Sequence, residues 1–363
     1  MNHRASKPGP PVGLTMGDGA GIGPEILLAA LRHPTLAQNT IIYGTASVFQ
    51  KTRQQLAAAQ PSCPWPKLHT IALDAWRRQR GDVKRPPDGH VTLIDVSERL
   101  PAQARQTLQT LQSIPFGAHL PAFGHLQGVA LEVAIEDAKD GFISSICTAP
   151  LNKALFKAAG LPPTGHTEIL AARTQASRHV MMLAGERLRV SLVTTHLPLK
   201  DVSAHLSAAR IVDVIQTTGE DLKRLWGIQE PRMAIAALNP HAGEGGTMGD
   251  EEITTIVPAI HAARDAGWDV SGPWPADTLM ASAAPGRQWD YDAVICMYHD
   301  QALIPLKLLH FGQSANITLG LPLIRTSVDH GTAYDIAGQG IADEGSMRYA
   351  IELAMDFAAR TNG

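Results

Sequence analysis

Polar and glycine residues in this sequence concentrate in five short islands, each of which follows a predicted strand. The islands are residues 16–25, 148–153 with 164–168, 194–199, 239–246 and 298–301. Ligands of α/β proteins bind in the loops beyond the carboxyl ends of the strands. We therefore expect these islands to form the functional site.

Three histidines, His196, His241 and His299, lie in separate islands, and Asp277 could lie beside them. Imidazoles with a carboxylate nearby suit zinc, cobalt or manganese and leave a coordination position open for substrate oxygens. The alternative is that they are ordinary loop or capping histidines, because the chain has 15 histidines and no HExxH motif. Spacing alone leaves both interpretations open.

Two cations, Lys307 and Arg325, stand within apolar runs. A buried cation is costly unless it is paired, so one interpretation is an ion pair with an acidic side chain. The other is that both cations bind a phosphate group, for which Arg and Lys are well suited. His166, Thr167 and Asn316 are further polar candidates for the same anion site.

The glycines of the first island do not form the usual dinucleotide fingerprint. Gly17, Gly19, Gly21 and Gly23 alternate and do not give GxGxxG, and the second glycine-rich run, 243–249, also misses that spacing. Any one of these glycines is explained by a tight turn. A bound dinucleotide would therefore be held in another way.

The elements that must position these residues alternate between strand and helix. Apolar runs at 41–43, 188–194, 233–238 and 293–297 predict strands, and residues 202–226 predict a helix. This order favours an α/β fold with a largely parallel sheet. Residues 59–121, rich in Pro, Gln and Arg, carry no chemical motif, and we interpret them as variable periphery.

Composition excludes several classes of protein. The 363 residues, 44% hydrophobic and 18% charged, suffice for one large or two medium domains, and the net charge of −3 indicates neither nucleic-acid nor membrane binding. Cys63, Cys147 and Cys296 form no CxxC pair, which favours a reducing cytoplasm. We also expect no secretory signal and no membrane span.

Ten segments, in order, resemble the signature segments of the 4-hydroxythreonine-4-phosphate dehydrogenase family. They are GIGPE, TAPLNK, TGHTE, TTHLPLKD, LNPHAGEGG, PADT, YHDQ, NITLGLP, IRTS and DHGTA. The resemblance runs from about residue 12 to 350, with 59–121 as the long stretch that lacks it. The sequence departs from the commoner family pattern at Gly19, at Ala302 and over 310–314.

The resemblance implies an α/β/α two-domain subunit like that of isocitrate and isopropylmalate dehydrogenases, with the active site in the interdomain cleft at a homodimer interface. The first domain would comprise residues 1–140 with about 305–363, and the second residues 141–304. The second domain would carry the metal ligands and the dimer contacts.

The resemblance also assigns roles to residues. It implies one divalent metal (zinc, cobalt or magnesium) on His196, His241 and His299, contributed by both subunits. Implied substrate contacts are His166, Thr167, Lys307, Asn316 and Arg325. Implied contacts to NAD or NADP are Asn239, Gly243, Gly245, Gly246, Asn316, Leu319 and Gly320.

The expected reaction is oxidation of 4-phosphohydroxy-L-threonine, followed by decarboxylation, in pyridoxal phosphate synthesis. Asp277 and Lys307 are the candidates for the general base, and the sequence does not choose between them. Alternative substrates are 4-phospho-threonate or 4-phospho-erythronate, or a dihydrodiol dicarboxylate, although the HAGEGG segment looks more like the pyridoxine-pathway members. A non-catalytic metal- or phosphate-binding protein is the alternative from another class.

Overall fold

The computed structural model describes residues 9–79, 86–163 and 165–361. The chain divides into two compact units, Met1–Arg173 with Leu323–Gly363, and Thr174–Pro322. These boundaries differ from the prediction, because residues 141–173 belong to the first unit and 305–322 to the second. The physical reason is the pairing of the strands within each unit.

The strands of the first unit are all parallel. They are β1 (Val12–Thr15), β2 (Thr40–Gly44), β3 (Lys67–Ala72), β4 (His90–Asp95), β5 (Ser145–Thr148) and β12 (Arg325–Ser327). Their order is β3-β4-β2-β1-β5-β12, so β5 pairs with β1 on one side and β12 on the other. This pairing is what places residues 145–148 in the first unit.

Helices flank these strands, as expected for parallel strands buried on both faces. They are α1 (Gly23–Ala30), α2 (Pro34–Gln38), α3 (Ala46–Ala59), α4 (Leu73–Arg78), α5 (Ala102–Gln109), α6 (Pro121–Lys139), α7 (Lys153–Ala158), α8 (His166–Thr174) and α14 (Gly345–Thr361). The apolar strand residues Leu14, Ile42, Leu93 and Ile146 are fully buried and form the core.

The interpretation of residues 59–121 as periphery is wrong for part of this segment. It contains β4, which pairs with β2 and β3, and Leu93 and Ile94 of β4 are fully buried. Prolines flank β3 and β4, since Pro66 precedes β3 and Pro87 precedes β4. These two prolines lie before the starts of the strands and do not indicate an irregular loop.

The second unit has a mixed set of strands. They are β6 (Val180–Gly185), β7 (Arg189–Leu192), β8 (Arg232–Ala236), β9 (Asp269–Trp274), β10 (Ala293–Cys296) and β11 (Ser314–Leu319), in the order β11-β6-β7-β10-β8-β9. β6 is antiparallel to both β11 and β7, and the other pairs are parallel. The pairing of β11 with β6 places residues 314–319 in this unit.

The helices of the second unit are α9 (Val202–His205), α10 (Ala208–Trp226), α11 (Val257–Asp265), α12 (Ala276–Ser282) and α13 (His299–His310). The single helix predicted over 202–226 is two helices, because Leu206 is extended and the Ser207 side chain caps α10 by accepting from Arg210 N at 3.2 Å. Gly227 ends α10 in the left-handed conformation.

The predicted α/β class is confirmed in both units. A buried apolar cluster in the second unit includes Val190, Ala234, Val294 and Leu306, from three strands and α13. Over the part of the chain described by the structure, every helix is too short or too polar to cross a bilayer.

Candidate active site

In the first unit, two predicted substrate residues begin a helix. His166 and Thr167 are the first residues of α8, and the backbone N–H of Gly165 donates to Glu168 Oε2 at 2.9 Å. This is the glutamate half of a capping box, and it fixes the start of the helix. Free backbone N–H groups and the helix dipole make such an end attractive to an anion.

Arg325 begins β12, and its side chain lies inside the unit. The residue is 4% exposed, and its Nη2 donates to Thr148 Oγ1 at 2.8 Å, at the end of the adjacent strand β5. Burial lowers the pKa of Arg325 to about 10, while the charges of Cys147 and Glu168 oppose that change. The guanidinium therefore remains a cation at neutral pH.

His166 lies in the electrostatic field of two cations. Burial lowers its pKa well below 6.5, and the positive charges of Arg325 and then Lys153 lower it further. His166 is therefore neutral at pH 7 and has one ring N–H to donate. Lys153 was not selected from the sequence, although it ends the TAPLNK segment; it begins α7, which Asn152 caps through Ala154 N at 2.8 Å.

In the second unit, neighbouring strands bring two of the predicted metal ligands together. His196 follows β7 and His299 follows β10, and these strands are parallel with Leu192 opposite Cys296. The ring centroids of the two histidines are 5.6 Å apart, and the rings are inclined by 45°. Asp300 Oδ1 lies 2.7 Å from His299 Nδ1, a hydrogen bond that leaves Nε2 available as a metal ligand.

The third predicted ligand is not brought into this pair. His241 lies in the 3₁₀ stretch Pro240–Gly246 after β8, with a left-handed φ of 51°, and its side chain is 68% exposed. Within the described ranges, the structure groups no three His, Cys, Asp or Glu side chains around a common cation position. Two imidazoles at this separation fit a divalent metal, but the full three-histidine site is not assembled.

The remaining predicted residues of the second unit lie in three places. Asp277 is exposed near the start of α12, and Lys307 is half-buried in α13. Asn316 lies in β11, where its Oδ1 is buried and has no hydrogen-bond partner among the described residues. An unsatisfied buried acceptor is costly, so this atom fits a ligand that donates a hydrogen bond.

The predicted cofactor contacts occupy two turns. Gly243, Gly245 and Gly246 all have positive φ in the loop after β8, and Gly320 has a φ of 79° after β11, next to the buried Leu319. A Cβ on Gly320 would approach Arg178 O to 2.6 Å. Only glycine can therefore occupy position 320 of this turn without strain.

The family model described as pyridoxal phosphate biosynthetic protein PdxA matches residues 36–354. The chain belongs to the PdxA family. The resemblance inferred from the ten sequence segments is thereby confirmed, and this PdxA-family chain is an oxidoreductase.

Relatives extend the match over nearly the whole chain. A 4-hydroxythreonine-4-phosphate dehydrogenase of Desulfosudis oleivorans is 46% identical, with 97% of each chain covered. A crystal structure of the Klebsiella pneumoniae enzyme of the same name has a TM-score of 0.80 at 38% identity, covering 96% of this chain and 99% of that one. A terephthalate 1,2-cis-dihydrodiol dehydrogenase from Burkholderia xenovorans LB400 has a TM-score of 0.59 at 28% identity, covering 96% and 98%.

Proposed function

We propose that this chain oxidises 4-phosphohydroxy-L-threonine with NAD or NADP. The product, 2-amino-3-oxo-4-phosphonooxybutanoate, then decarboxylates to 3-amino-2-oxopropyl phosphate in pyridoxal phosphate biosynthesis. The observation that carries the proposal is the 46% identity, over 97% of each chain, to a protein of that name.

The cations of the first unit support binding of the substrate phosphate. Arg325 supplies a fixed charge, and His166 and Thr167 lie at a helix N-terminus. Neutral His166 donates one hydrogen bond, and Lys153 adds positive charge. Lys307 and Asn316 of the second unit complete the proposed substrate set.

The pair His196 and His299 supports a divalent metal of zinc, cobalt or magnesium type, with His241 as the third ligand. A divalent metal acidifies a bound hydroxyl and stabilises developing negative charge on oxygen as a Lewis acid. His299 is held in orientation by Asp300, and the exposed His241 remains accessible to a ligand. Asp277 or Lys307 would take the proton of the substrate hydroxyl, and a bound nicotinamide would supply the hydride acceptor.

For the cofactor we propose the turn at Leu319 and Gly320, Asn316, and the glycine-rich loop that contains Asn239, Gly243, Gly245 and Gly246. The buried Asn316 acceptor is unsatisfied, which supports this assignment, and Gly320 fixes the turn after β11, because a Cβ there would meet Arg178 O at 2.6 Å.

A homodimer with a shared active site is supported by one face of α13. Ile304 and Leu308 of α13, and Phe311 directly after its last residue, are 59%, 82% and 81% exposed, and they recur at intervals of four and three residues. Such spacing forms one apolar stripe, which water solvates poorly and a second copy would cover. The same helix begins at His299 of the proposed metal site.

We place the protein in the cytoplasm. Cys147 and Cys296 are buried free thiols, and Cys63 is a half-buried free thiol, which is typical of a reducing compartment.

The likeness to the dihydrodiol dehydrogenase, at 28% identity, makes a dihydrodiol dicarboxylate the alternative substrate. A 4-phospho-threonate or 4-phospho-erythronate substrate would use the same anion site. The experiment that tests the proposed function is NADH formation from 4-phosphohydroxy-L-threonine before and after chelation. Activity should disappear with a chelator and return with zinc, cobalt or magnesium; activity that survives complete chelation would exclude the metal-dependent reaction.

A further inference from the structure

A buried carboxylate anchors the loop that carries His241. Glu252 is 3% exposed at the start of the π-helical segment Glu252–Ile256. Its Oε1 accepts hydrogen bonds from the backbone N–H groups of Leu238 and Asn239, both at 2.8 Å. These residues directly precede the Pro240–Gly246 stretch, so the carboxylate fixes the point at which the loop leaves β8.

The side-chain amide of Asn239 links this carboxylate to a second one. Its Nδ2 donates to Glu252 Oε2 at 2.9 Å and to Glu251 Oε2 at 2.6 Å. Glu251 Oε1 in turn accepts from Ser203 Oγ at 2.6 Å. Ser203 lies in α9, in the segment that follows His196, so hydrogen bonds connect the His241 loop to the His196 segment.

Hydrogen-bond donors surround both carboxylates of this network. The hydrogen bonds from Ser203 and then Asn239 lower the pKa of Glu251, so it is ionised at neutral pH. A buried carboxylate is expensive unless donors surround it, and Glu252 has three at hydrogen-bond distance. The network is therefore a stable anchor and not an unpaired acidic cluster.

The loop that it anchors has a conformation that the local sequence does not favour. Five consecutive residues, His241 to Gly245, have φ between 42° and 76°, and three of them are not glycine. Backbone of this kind persists where the surroundings over-determine it. A Cβ on Gly243 would lie 2.6 Å from Glu252 Oε2, so Glu252 packs directly against the middle of the loop.

We propose that Glu252, acting with Asn239 and Glu251, is the positioning residue that sets the His241 loop relative to the His196 segment. The inference rests on the proposed metal role of His241. Both side-chain amide hydrogens of Asn239 are then used within the protein, so the proposed cofactor contact of Asn239 is left to its amide oxygen. Replacing a residue that orients a metal-binding histidine typically lowers the metal affinity about 10–100-fold.

The test uses the full-length chain and its Glu252→Gln variant. Glutamine keeps the size of the side chain but replaces one acceptor by a donor, which faces Asn239 Nδ2. We expect hydrogen exchange at the Leu238 and Asn239 amides of the metal-free protein to accelerate at least about tenfold, and Co²⁺ affinity in calorimetric titration to fall about 10–100-fold. Co²⁺ affinity within about twofold of the parent would overturn the proposal.

Glu220→Gln is the matched control. Glu220 is an exposed glutamate of α10 in the same unit, 3.5 Å from Arg178, so its replacement should change neither measurement. If Glu252→Gln fails to fold, Ser203→Ala removes only the exposed end of the network. That variant should still weaken Co²⁺ binding several-fold, and unchanged binding would overturn the link between the two segments.

The two proposals fail in different ways. A parent chain that binds Co²⁺ in a Glu252-dependent manner but makes no NADH from 4-phosphohydroxy-L-threonine would overturn the proposed function and leave the positioning role. A parent with metal-dependent turnover whose Glu252→Gln variant binds Co²⁺ normally would overturn the positioning role alone.

Discussion

At the scale of single residues, the first unit places the buried cation Arg325 among polar side chains. Arg325 keeps its charge at 4% exposure and contacts Thr148 directly. His166 stays neutral because burial and the charges of Arg325 and Lys153 disfavour its protonation. Together they present fixed positive charge and an unprotonated ring, which suits a dianionic phosphate.

Replacing Arg325 tests this charge. Arg325→Gln should lower kcat/KM for the phosphorylated substrate about 10–100-fold, because a charge-assisted hydrogen bond contributes about 1.5–3 kcal/mol. NADH formation measures the effect. Arg99→Gln, which removes a half-exposed ion pair with Glu136, serves as the control and should leave kcat/KM unchanged. Equal effects in both variants would contradict a substrate role for Arg325.

The ionisation of His166 should respond to phosphate. A bound dianion opposes the fields of Arg325 and Lys153, so inorganic phosphate should raise the pKa of His166 from its lowered value, as followed by NMR. The exposed His33 is the internal control and should not shift. An unmoved His166 resonance at saturating phosphate would exclude it from the anion site.

The same lowered pKa determines how His166 affects stability. Protonation below the ordinary value of 6.5 favours the unfolded chain. The neutral ring's contribution to stability is therefore fully present above that pH, and it is lost as pH falls from 6.5 towards the native pKa. The unfolding free energy of His166→Gln, measured by urea titration, should therefore decrease less than that of the parent chain as pH falls from 6.5.

We propose that the general base is Asp277 or Lys307, which lie on different helices of the second unit. General base catalysis typically raises the reaction rate about 10²–10⁴-fold. One of the two variants, Asp277→Asn or Lys307→Ala, should therefore lose that much kcat. The same variant should lose the limb of the pH–rate profile that the base controls. The other variant should retain that limb. Full turnover in both variants would show that neither residue is the base.

At the scale of elements, loop ends after parallel strands explain why distant residues meet. β7 and β10 are neighbours, so His196 and His299 lie together although they are far apart in sequence. β11 ends in the Gly320 turn, whose backbone N–H donates to Asp221 Oδ2 of α10 at 2.7 Å. These elements hold the proposed site residues of the second unit on packed strands and helices.

The Gly320 turn gives a prediction about stability. Gly320→Ala introduces both a left-handed alanine and a clash with Arg178 O, so it should cost more than the roughly 1 kcal/mol typical of strain alone. Gly267→Ala is the matched control, because Gly267 also has positive φ but open space around its Cα. Urea unfolding of the two variants measures the difference between their losses of unfolding free energy. Equal losses would show that the backbone moves and relieves the contact between the new Cβ and Arg178 O.

Strands with unbroken apolar runs were predictable from sequence, whereas other features depend on tertiary context. The strand at 41–43 is β2, and that at 293–297 is β10. β4 was missed because the Pro-rich sequence around it suggests a loop, although its side chains are buried. The left-handed run at His241 was also unpredictable, since His, Ala and Glu rarely adopt it without an external anchor such as Glu252.

At the scale of the whole molecule, the residues predicted to contact the substrate belong to two units. His166, Thr167 and Arg325 belong to the first, and Lys307 and Asn316 to the second. Their proposed roles were predicted from the ordered family segments. The unit boundaries depend instead on which strands pair, and no single segment of the sequence determines that pairing. The sequence therefore predicted two units, but the predicted bounds differ from the observed ones at β5 and β11, and the site residues remain a prediction.

The proposed homodimer can be tested on the stripe of α13. Leu308→Asp places a charge in the middle of the stripe, where Leu308 is 82% exposed in the single chain. We expect a dimer of the parent chain to become a monomer in light scattering and to lose turnover, because the proposed active site is shared between subunits. Ile341→Asp, an exposed apolar position of the first unit, should stay dimeric; a Leu308→Asp variant that remains an active dimer would place the interface elsewhere.

The most direct test is the rate of NADH formation with three substrates and saturating divalent metal. The account predicts a higher kcat/KM with 4-phosphohydroxy-L-threonine than with 4-phospho-erythronate or a terephthalate dihydrodiol. Absence of NADH with 4-phosphohydroxy-L-threonine, or a higher kcat/KM with either of the other two compounds, would contradict it.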